Sequence, residues 1–309
     1  MMHAVELLPP GADRYDRETW LALRRTGVTA SEIAAITGCA PLGWASAFSL
    51  WADKTGILEL ADDPSPAMRL GTYMEPFVLG EFTMATGHEV TRAGLCAHPE
   101  RLWQLATPDG VTAGGWPVEA KTSGGYDGWG EGGSGDVPPH YAAQLLWQMD
   151  VLGADRGFVA CLFFPSRSVR VYELTYDGAA AAALRDAAAA FLEAVRTETP
   201  PDIDGTMATA RALRGMYAVD AADTAVISRR LLLRYGAALR RRADAERDTR
   251  ELENLVRAAM GTARTGFDSK TGKPVVTRSV YYTKEHVRKA AVVDRITYRR
   301  ERDDDSNRG

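Results

Sequence analysis

The sequence LATPDGVTAGGWPVEAKT, from Leu105 to Thr122, predicts two short extended segments that pair as a hairpin. The first begins at the Asp-Gly pair that contains Asp109, and the second contains Glu119 and Lys121 two residues apart. Side chains along a strand alternate between its faces, so Glu119 and Lys121 lie on one face while their apolar neighbours lie on the other. Pairing of the two segments would bring Asp109 beside Glu119.

Two carboxylates at one site lose hydration and repel each other, which favours a divalent cation such as Mg²⁺ between their hard oxygens. Lys121, one pleat further along, could hold or help to deprotonate a water molecule beside that cation. The alternative is a solvated hairpin, because Asp-Gly is a common hairpin turn and charged residues protect sheet edges. On this stretch alone, both interpretations stay open.

The composition is that of an ordinary globular protein, with 45% hydrophobic and 25% charged residues in 309. The chain has no run of about 18 apolar residues and no basic start followed by an apolar stretch, so we expect neither a membrane span nor a secretory leader. Its three cysteines, Cys39, Cys96 and Cys161, form no CxxC pair, which argues against a disulfide framework, a zinc site or an iron–sulfur cluster. A cytoplasmic location is therefore expected, the host cytoplasm if the source is viral.

Apolar spacing and capping residues predict five helices before residue 200. One of them begins with a capping box formed by Thr29 and Glu32. Two strands, GFVACLFF and SVRVYELTY, follow the fourth helix and are predicted to pair with each other. The helices are expected at residues 17–25, after Thr29, at residues 66–86 behind a Ser65 cap, from Pro139, and at residues 177–198.

The C-terminal part of the chain is basic, and Pro200-Pro201 marks its predicted start. Residues 225–302 contain 20 Lys and Arg against 9 Asp and Glu, a charge of +11, which leaves −15 elsewhere for the net −4. This asymmetry suggests a polyanion or an acidic partner, although a solvated helical face is an equal alternative. We expect residues 202–223 to be loosely structured, a long helix over 225–260, a small hairpin after it and a frayed acidic tail.

Several short motifs occur in an order that resembles the viral recombinase exonucleases of the YqaJ and lambda type, within the PD-(D/E)xK nuclease superfamily. The resemblance extends from about Thr19 to Tyr172. Each motif is weak, but their shared order is specific. The motifs are R-x6-S from Arg24 to Ser31, Glu75 in GTYMEP, Asp109 in TPDG, Glu119 and Lys121 in VEAK, and Y-x-x-Q from Tyr141 to Gln144.

The resemblance implies an α/β fold with a restriction-endonuclease-like core, in which a central mixed sheet is flanked by helices. We expect a nuclease domain over residues 1–200 and a basic, mainly helical extension over residues 201–309. A single continuous domain, with the extension packed on the core, is the alternative.

For the metal site, the resemblance implies that Asp109 and Glu119 ligate Mg²⁺, for which Mn²⁺ could substitute. The backbone carbonyl of Ala120 would lie nearby, and Glu75 would assist the same metal or a second one. Lys121 would position or activate the attacking water.

For the substrate, the resemblance implies that Gln144 orients DNA beside the metal site and that Arg24 and Ser31 hold a 5′-phosphate. Tyr141 and Gln148 are secondary candidates, because they share one helical face with Gln144.

The implied activity is Mg²⁺-dependent 5′-to-3′ digestion of one strand of linear duplex DNA to mononucleotides, which leaves 3′ single-stranded tails for recombination. A homotrimer around the duplex and a single-strand annealing protein are the implied partners. An endonuclease of the same fold and a non-catalytic DNA-binding recombination factor are the alternatives.

Overall fold

The computed structural model describes residues 4–58, 65–217 and 224–279. The chain divides into two compact units, Met1–Ala218 and Val219–Gly309. In the first unit the helices are α1 (Ala12–Tyr15), α2 (Arg17–Arg25), α3 (Ile33–Ile36), α4 (Ala47–Lys54), α5 (Pro66–Thr86), α6 (Pro139–Leu152), α7 (Gly178–Arg196) and α8 (Met207–Met216). Its strands are β1 (Val5–Leu8), β2 (Val28–Thr29), β3 (Val90–Thr91), β4 (Leu95–His98), β5 (Arg101–Ala106), β6 (Gly110–Thr112), β7 (Pro117–Ser123), β8 (Arg156–Phe163) and β9 (Ser168–Thr175). The second unit contains α9 (Arg229–Met260), β10 (Thr265–Phe267) and β11 (Pro274–Thr277).

The predicted hairpin is present as β6 and β7, in the middle of a five-stranded sheet of order β3-β6-β7-β8-β9. Strands β6 and β7 are antiparallel, with Gly110 opposite Val118, and β7 and β8 are parallel. This register places Asp109, which precedes Gly110, next to Glu119, as expected. The alternation along β7 is also confirmed, because Val118 is buried in the apolar cluster beneath α5.

A second sheet of four strands has the order β1-β4-β5-β2, with β2 parallel to β5. The predicted class, a mixed α/β fold with helices around mixed sheets, is confirmed. The single central sheet that was expected is instead divided in two, because the chain leaves strand geometry at residues 107–109 between β5 and β6. Helix α6 packs against strands of both sheets and joins them.

The helix predicted to start at Thr29 starts later. Thr29 ends β2, where it pairs with Leu105, and α3 begins at Ile33. Half of the predicted capping box survives, since the Thr29 backbone N–H donates to Glu32 Oε2 at 2.9 Å. Pairing with β5 supplies hydrogen bonds to backbone groups that a helix beginning at Thr29 would otherwise have used. A tertiary contact therefore overrides the local capping pattern.

The segment after residue 200 departs from expectation. Residues 202–223 were expected to be loose, but Thr206 caps α8 by accepting from the Thr209 N–H. Helix α8 packs on α4, and the hydroxyls of Ser46 and Thr209 form a buried hydrogen bond of 2.8 Å. The first unit therefore runs through Ala218, beyond the boundary predicted at residue 200. Independent folding of the two units stays a prediction.

The remaining elements agree with the sequence patterns. The strands β8 and β9 pair antiparallel, α5 is capped by Ser65, and α9 and the β10–β11 hairpin follow in the predicted order. The acidic tail lies outside the described residues. In the described parts of the chain, no helix is both long and apolar enough to cross a membrane.

Replacement of Thr209 by valine tests the role of α8 in the first unit. Valine keeps the side-chain shape but removes the buried hydrogen bond to Ser46, so we expect a loss of about 1–2 kcal/mol of unfolding free energy. Chemical denaturation of the full chain measures it. Thr197→Val is the control, because Thr197 is exposed and its hydroxyl bonds only within its own helix end. Equal losses in the two variants would contradict the packing role.

Candidate active site

The β6–β7 hairpin fixes Asp109 and Glu119 side by side. Glu119 is 3% exposed, and the Ala120 backbone N–H donates to Asp109 Oδ2 at 2.8 Å. Gly110 permits a close approach of the neighbouring strand, because a Cβ atom on it would lie 2.1 Å from Val90 Cγ1. The absence of a side chain at residue 110 therefore lets β3 close on β6 and sets the backbone from which Asp109 projects.

Three side-chain donors converge on Glu119. Lys121 Nζ and Gln144 Nε2 each lie 2.5 Å from Glu119 Oε1, and Gln148 Nε2 lies 2.6 Å from Oε2. Lys121 comes from the same face of β7, as the alternation predicted, and both glutamines come from α6. The structure thus brings together Gln144, Glu119 and Lys121, which the sequence placed in one site.

A second buried carboxylate, Asp150, shows how this fold satisfies an anion with protein alone. It accepts hydrogen bonds from Tyr176 at 2.7 Å, Gln104 at 2.7 Å and Arg185 at 2.8 Å. Burial by itself would raise the pKa of Asp150, but these donors outweigh it and lower the pKa. Asp150 is consequently a structural anion with a complete set of partners.

The pKa of Asp109 is shifted in the opposite direction to that of Asp150. Loss of hydration, followed by the charge of Glu119, raises the pKa of Asp109 well above its usual range, and the charge of Lys121 only partly offsets this. Among the described residues, one hydrogen bond reaches the Asp109 carboxylate, from the Ala120 N–H. A carboxylate with one donor and an anionic neighbour fits a hard divalent cation, which prefers oxygen ligands and removes the repulsion.

Lys121 remains a cation in this site. Burial by itself would lower the pKa of Lys121, but the charges of Glu119 and Asp109 outweigh burial and raise it. Its ammonium also lies 5.1 Å from the ring centre of Tyr141. A protonated Lys121 is able to donate hydrogen bonds to water or to a phosphate oxygen.

Glu75 does not join the carboxylate pair as a direct neighbour. It projects from α5 and forms an ion pair of 2.5 Å with Arg92. Its charge is still close enough to raise the pKa of Asp109. Within residues 4–58, 65–217 and 224–279, no group of three or more His, Cys, Asp or Glu side chains is arranged to hold a metal ion. The centre is therefore built on two carboxylates, with Glu75 at its margin.

Arg24 and Ser31 meet as the sequence predicted. Arg24 Nη2 lies 3.2 Å from Ser31 Oγ and 3.2 Å from Thr29 Oγ1. Because β2 and β5 are parallel, with Thr29 opposite Leu105, the residues that follow both strands emerge at one edge. That edge carries Ser31 after β2 and the segment that leads to Asp109 after β5.

The charge around Arg24 is set by residues that the motifs did not indicate. Glu32 lies 3.9 Å from Arg24, but the buried ammonium of Lys54 lies closer, at 3.1 Å from Glu32 Oε2. The guanidinium also stacks on Trp20, with 4.3 Å to the ring centre. Lys54 is distant from Glu32 in sequence, so no local pattern could have found it. Arg24 is left with hydroxyl neighbours and a neutralised glutamate, which suits an anion.

Two of the three cysteines, Cys96 and Cys161, are buried and poorly suited to act as nucleophiles. Burial raises the pKa of Cys96 to about 11 and that of Cys161 to about 12, so both thiols are protonated near neutral pH. This agrees with hydrolysis by an activated water.

Asp109, Glu119 and Lys121 lie together at a β-hairpin of a mixed sheet, as the motifs predicted. Residues 19–155 match the model of the YqaJ-like viral recombinase domain family. The resemblance inferred from the motifs is thereby confirmed.

The chain is also similar to individual known proteins. The chain is 28% identical over 276 residues to the uncharacterized protein YqaJ of Bacillus subtilis (strain 168), covering 85% of each chain. The crystal structure of the alkaline exonuclease LHK-Exo, from Laribacter hongkongensis, in complex with dAMP superposes with a TM-score of 0.50 at 24% identity. That superposition covers 59% of this chain and 93% of LHK-Exo. At this identity the likeness establishes the shared fold.

Replacement of Asp109 by asparagine tests the electrostatics of the centre. A folded-state pKa above the unfolded value of about 3.9 makes ionisation of Asp109 destabilising as pH rises through that window. In metal-free buffer at pH 8, Asp109→Asn should therefore be more stable than the parent chain, on the order of 1 kcal/mol. The gain should vanish well below the unfolded-state pKa, at about pH 3 and lower, where the Asp109 side chain is protonated in both states. Denaturant titrations across pH measure it, and a gain that is independent of pH would contradict the assignment.

Proposed function

We propose that this nuclease is a Mg²⁺-dependent 5′-to-3′ exonuclease that digests one strand of linear duplex DNA to mononucleotides and leaves 3′ single-stranded tails for recombination. The contrast between the hydrogen-bond partners of Asp109 and those of the buried Asp150 carries the proposal. Asp150 has protein donors on both oxygens, whereas Asp109 faces Glu119 with one backbone donor. The unbalanced charge of that pair is what a divalent cation would neutralise.

Asp109 and Glu119 would hold the ion, with the Ala120 carbonyl and Glu75 as further contributors. Mn²⁺ has the same preference for oxygen and could replace Mg²⁺. When bound, the ion supplies a more acidic water and relieves negative charge on the phosphoryl and leaving oxygens.

The residues around the carboxylates would position the reactants. Lys121, kept protonated by its anionic neighbours, would donate to the attacking water or to the scissile phosphate. Gln144 donates to the same oxygen of Glu119 as Lys121 does, and its partly exposed amide would orient the phosphodiester beside that lysine. Cleavage would then depend on alignment and on electrostatic stabilisation of the transition state.

Arg24 and Ser31 would bind the terminal 5′-phosphate. A guanidinium with two hydroxyl groups at 3.2 Å offers charge-assisted and neutral donors to one anion. A terminal phosphate exists only at a strand end, so this site would make the enzyme dependent on ends and would set its polarity. The homotrimer, the annealing partner and a role of the basic extension in DNA binding stay predictions.

End-labelled linear duplex DNA and covalently closed circles, each with and without Mg²⁺, test the activity. We expect release of labelled mononucleotides from 5′ ends only with Mg²⁺, and no cutting of circles. Efficient cutting of circles would instead favour an endonuclease, and binding without cleavage under all conditions would favour a non-catalytic recombination factor.

Substitutions at the centre separate metal binding from water positioning. Glu119→Ala should abolish cleavage, because one of the two ligands is lost. Lys121→Ala should lower the rate on the order of 10²-fold while the protein still binds Mg²⁺. Calorimetry with Mg²⁺ and single-turnover cleavage measure the two effects. Near-normal turnover by Glu119→Ala would rule out the assigned centre.

Arg24→Ala tests the phosphate site. We expect the variant to lose the preference for 5′-phosphorylated over 5′-hydroxyl ends, because the main positive charge of the site is gone. Arg25→Ala is a matched control, since Arg25 lies on the same helix and contacts Asp53 at 3.4 Å. Initial rates on the two substrates measure the preference. Retention of the preference by Arg24→Ala, or its equal loss in both variants, would reject the site.

A further inference from the structure

Gln148 is a buried amide that contacts the Glu119 carboxylate. It is 0% exposed and lies in the middle of α6. Its Nε2 donates to Glu119 Oε2 at 2.6 Å. In the described part of the chain its Oε1 is one of three buried side-chain polar atoms with no hydrogen-bond partner.

Its position differs from those of the other donors to Glu119. Lys121 and Gln144 both donate to Oε1 and are partly exposed. Each can therefore also donate a hydrogen bond to water or to a substrate. Gln148 alone among these three contacts Oε2 and has no access to solvent. It therefore contacts Glu119 on a side that solvent does not reach.

The amide orientation follows from the charge it faces. Rotation of the amide by half a turn would set its oxygen against the Glu119 carboxylate oxygen, which is repulsive. The nitrogen therefore faces Glu119, and the oxygen is left unpaired at a cost of about 1–3 kcal/mol. A methionine would fill the same volume without that cost. The contacts of Gln148 thus favour a role in the site over a role in stability.

We propose that Gln148 is a positioning residue that fixes the Glu119 carboxylate and thereby sets the affinity of the centre for its divalent cation. This inference rests on the proposed function, since it assumes that Glu119 is a metal ligand. A ligand held in one orientation loses less freedom on binding the ion, and residues that orient metal ligands typically change affinity by 10–100-fold when removed.

The chain contains a matched control for this residue. Gln104 is also 0% exposed, and its Nε2 donates to a buried carboxylate, Asp150, at 2.7 Å. Its Oε1 is satisfied, because Arg101 Nε donates to it at 2.8 Å. Gln104 has the same chemistry as Gln148 but serves the structural carboxylate and not the candidate metal centre.

The experiment is calorimetric titration of the full chain with MgCl₂, in the absence of DNA, for the parent, Gln148→Met, Gln148→Asn, Gln104→Met and Glu119→Ala. Circular dichroism establishes that each variant is folded. We expect Mg²⁺ binding to weaken about tenfold in Gln148→Met and Gln148→Asn, and to stay within about twofold of the parent in Gln104→Met. Gln148→Asn keeps an amide in the pocket, but its shorter side chain withdraws the amide from Glu119. This variant therefore tests the positioning role if Gln148→Met does not fold.

Each outcome assigns the result to one proposal. Mg²⁺ binding by both Gln148 variants at parental affinity, with Glu119→Ala defective, would overturn the positioning role and leave the metal centre intact. Equal weakening in Gln104→Met would also overturn it, because the effect would then be a general loss of packing. Failure of the parent chain to bind Mg²⁺ would instead remove the proposed function.

Discussion

The repulsion between the Asp109 and Glu119 carboxylates is the constraint on which this molecule depends. Antiparallel pairing of β6 with β7 forces the two anions together, and the sheet on either side makes separation impossible without loss of register. Most buried anions in proteins are neutralised by their surroundings. Here three side chains donate to Glu119, whereas Asp109 accepts one hydrogen bond among the described residues. Ionisation of Asp109 in the folded chain is therefore unfavourable, and a cation would remove that electrostatic cost.

Helix α6 connects the Glu119 carboxylate to the packing of the two sheets in the first unit. One of its faces brings Gln144 and Gln148 onto Glu119, while Asp150 near its end accepts hydrogen bonds from β5 and α7. The helix packs on both sheets, so the spacing of the two sheets and the orientation of Glu119 are set by the same contacts.

The edge near Arg24 shows how a protein of net charge −4 can concentrate positive charge locally. Lys54 is withdrawn from solvent and neutralises Glu32, which leaves the charge of Arg24 available beside two hydroxyl groups. Local arrangement of charge, and not net charge, governs recognition at this scale. The arrangement requires α2, β2 and α4 to pack as they do, since its members are spread along the sequence.

The sequence by itself determined the features that repeat at short range. Alternation along VEAK placed Glu119 with Lys121, hairpin pairing placed Asp109 beside them, and helical spacing placed Gln144 with Gln148. Tertiary structure decided the rest. It paired Glu75 with Arg92, turned Thr29 from a helix cap into a strand residue, and ordered α8 beyond residue 200. The physical reason is that backbone periodicity determines which side chains share a face of a strand or helix. Ion pairs and buried contacts, in contrast, join residues that are far apart in the sequence and follow no local pattern.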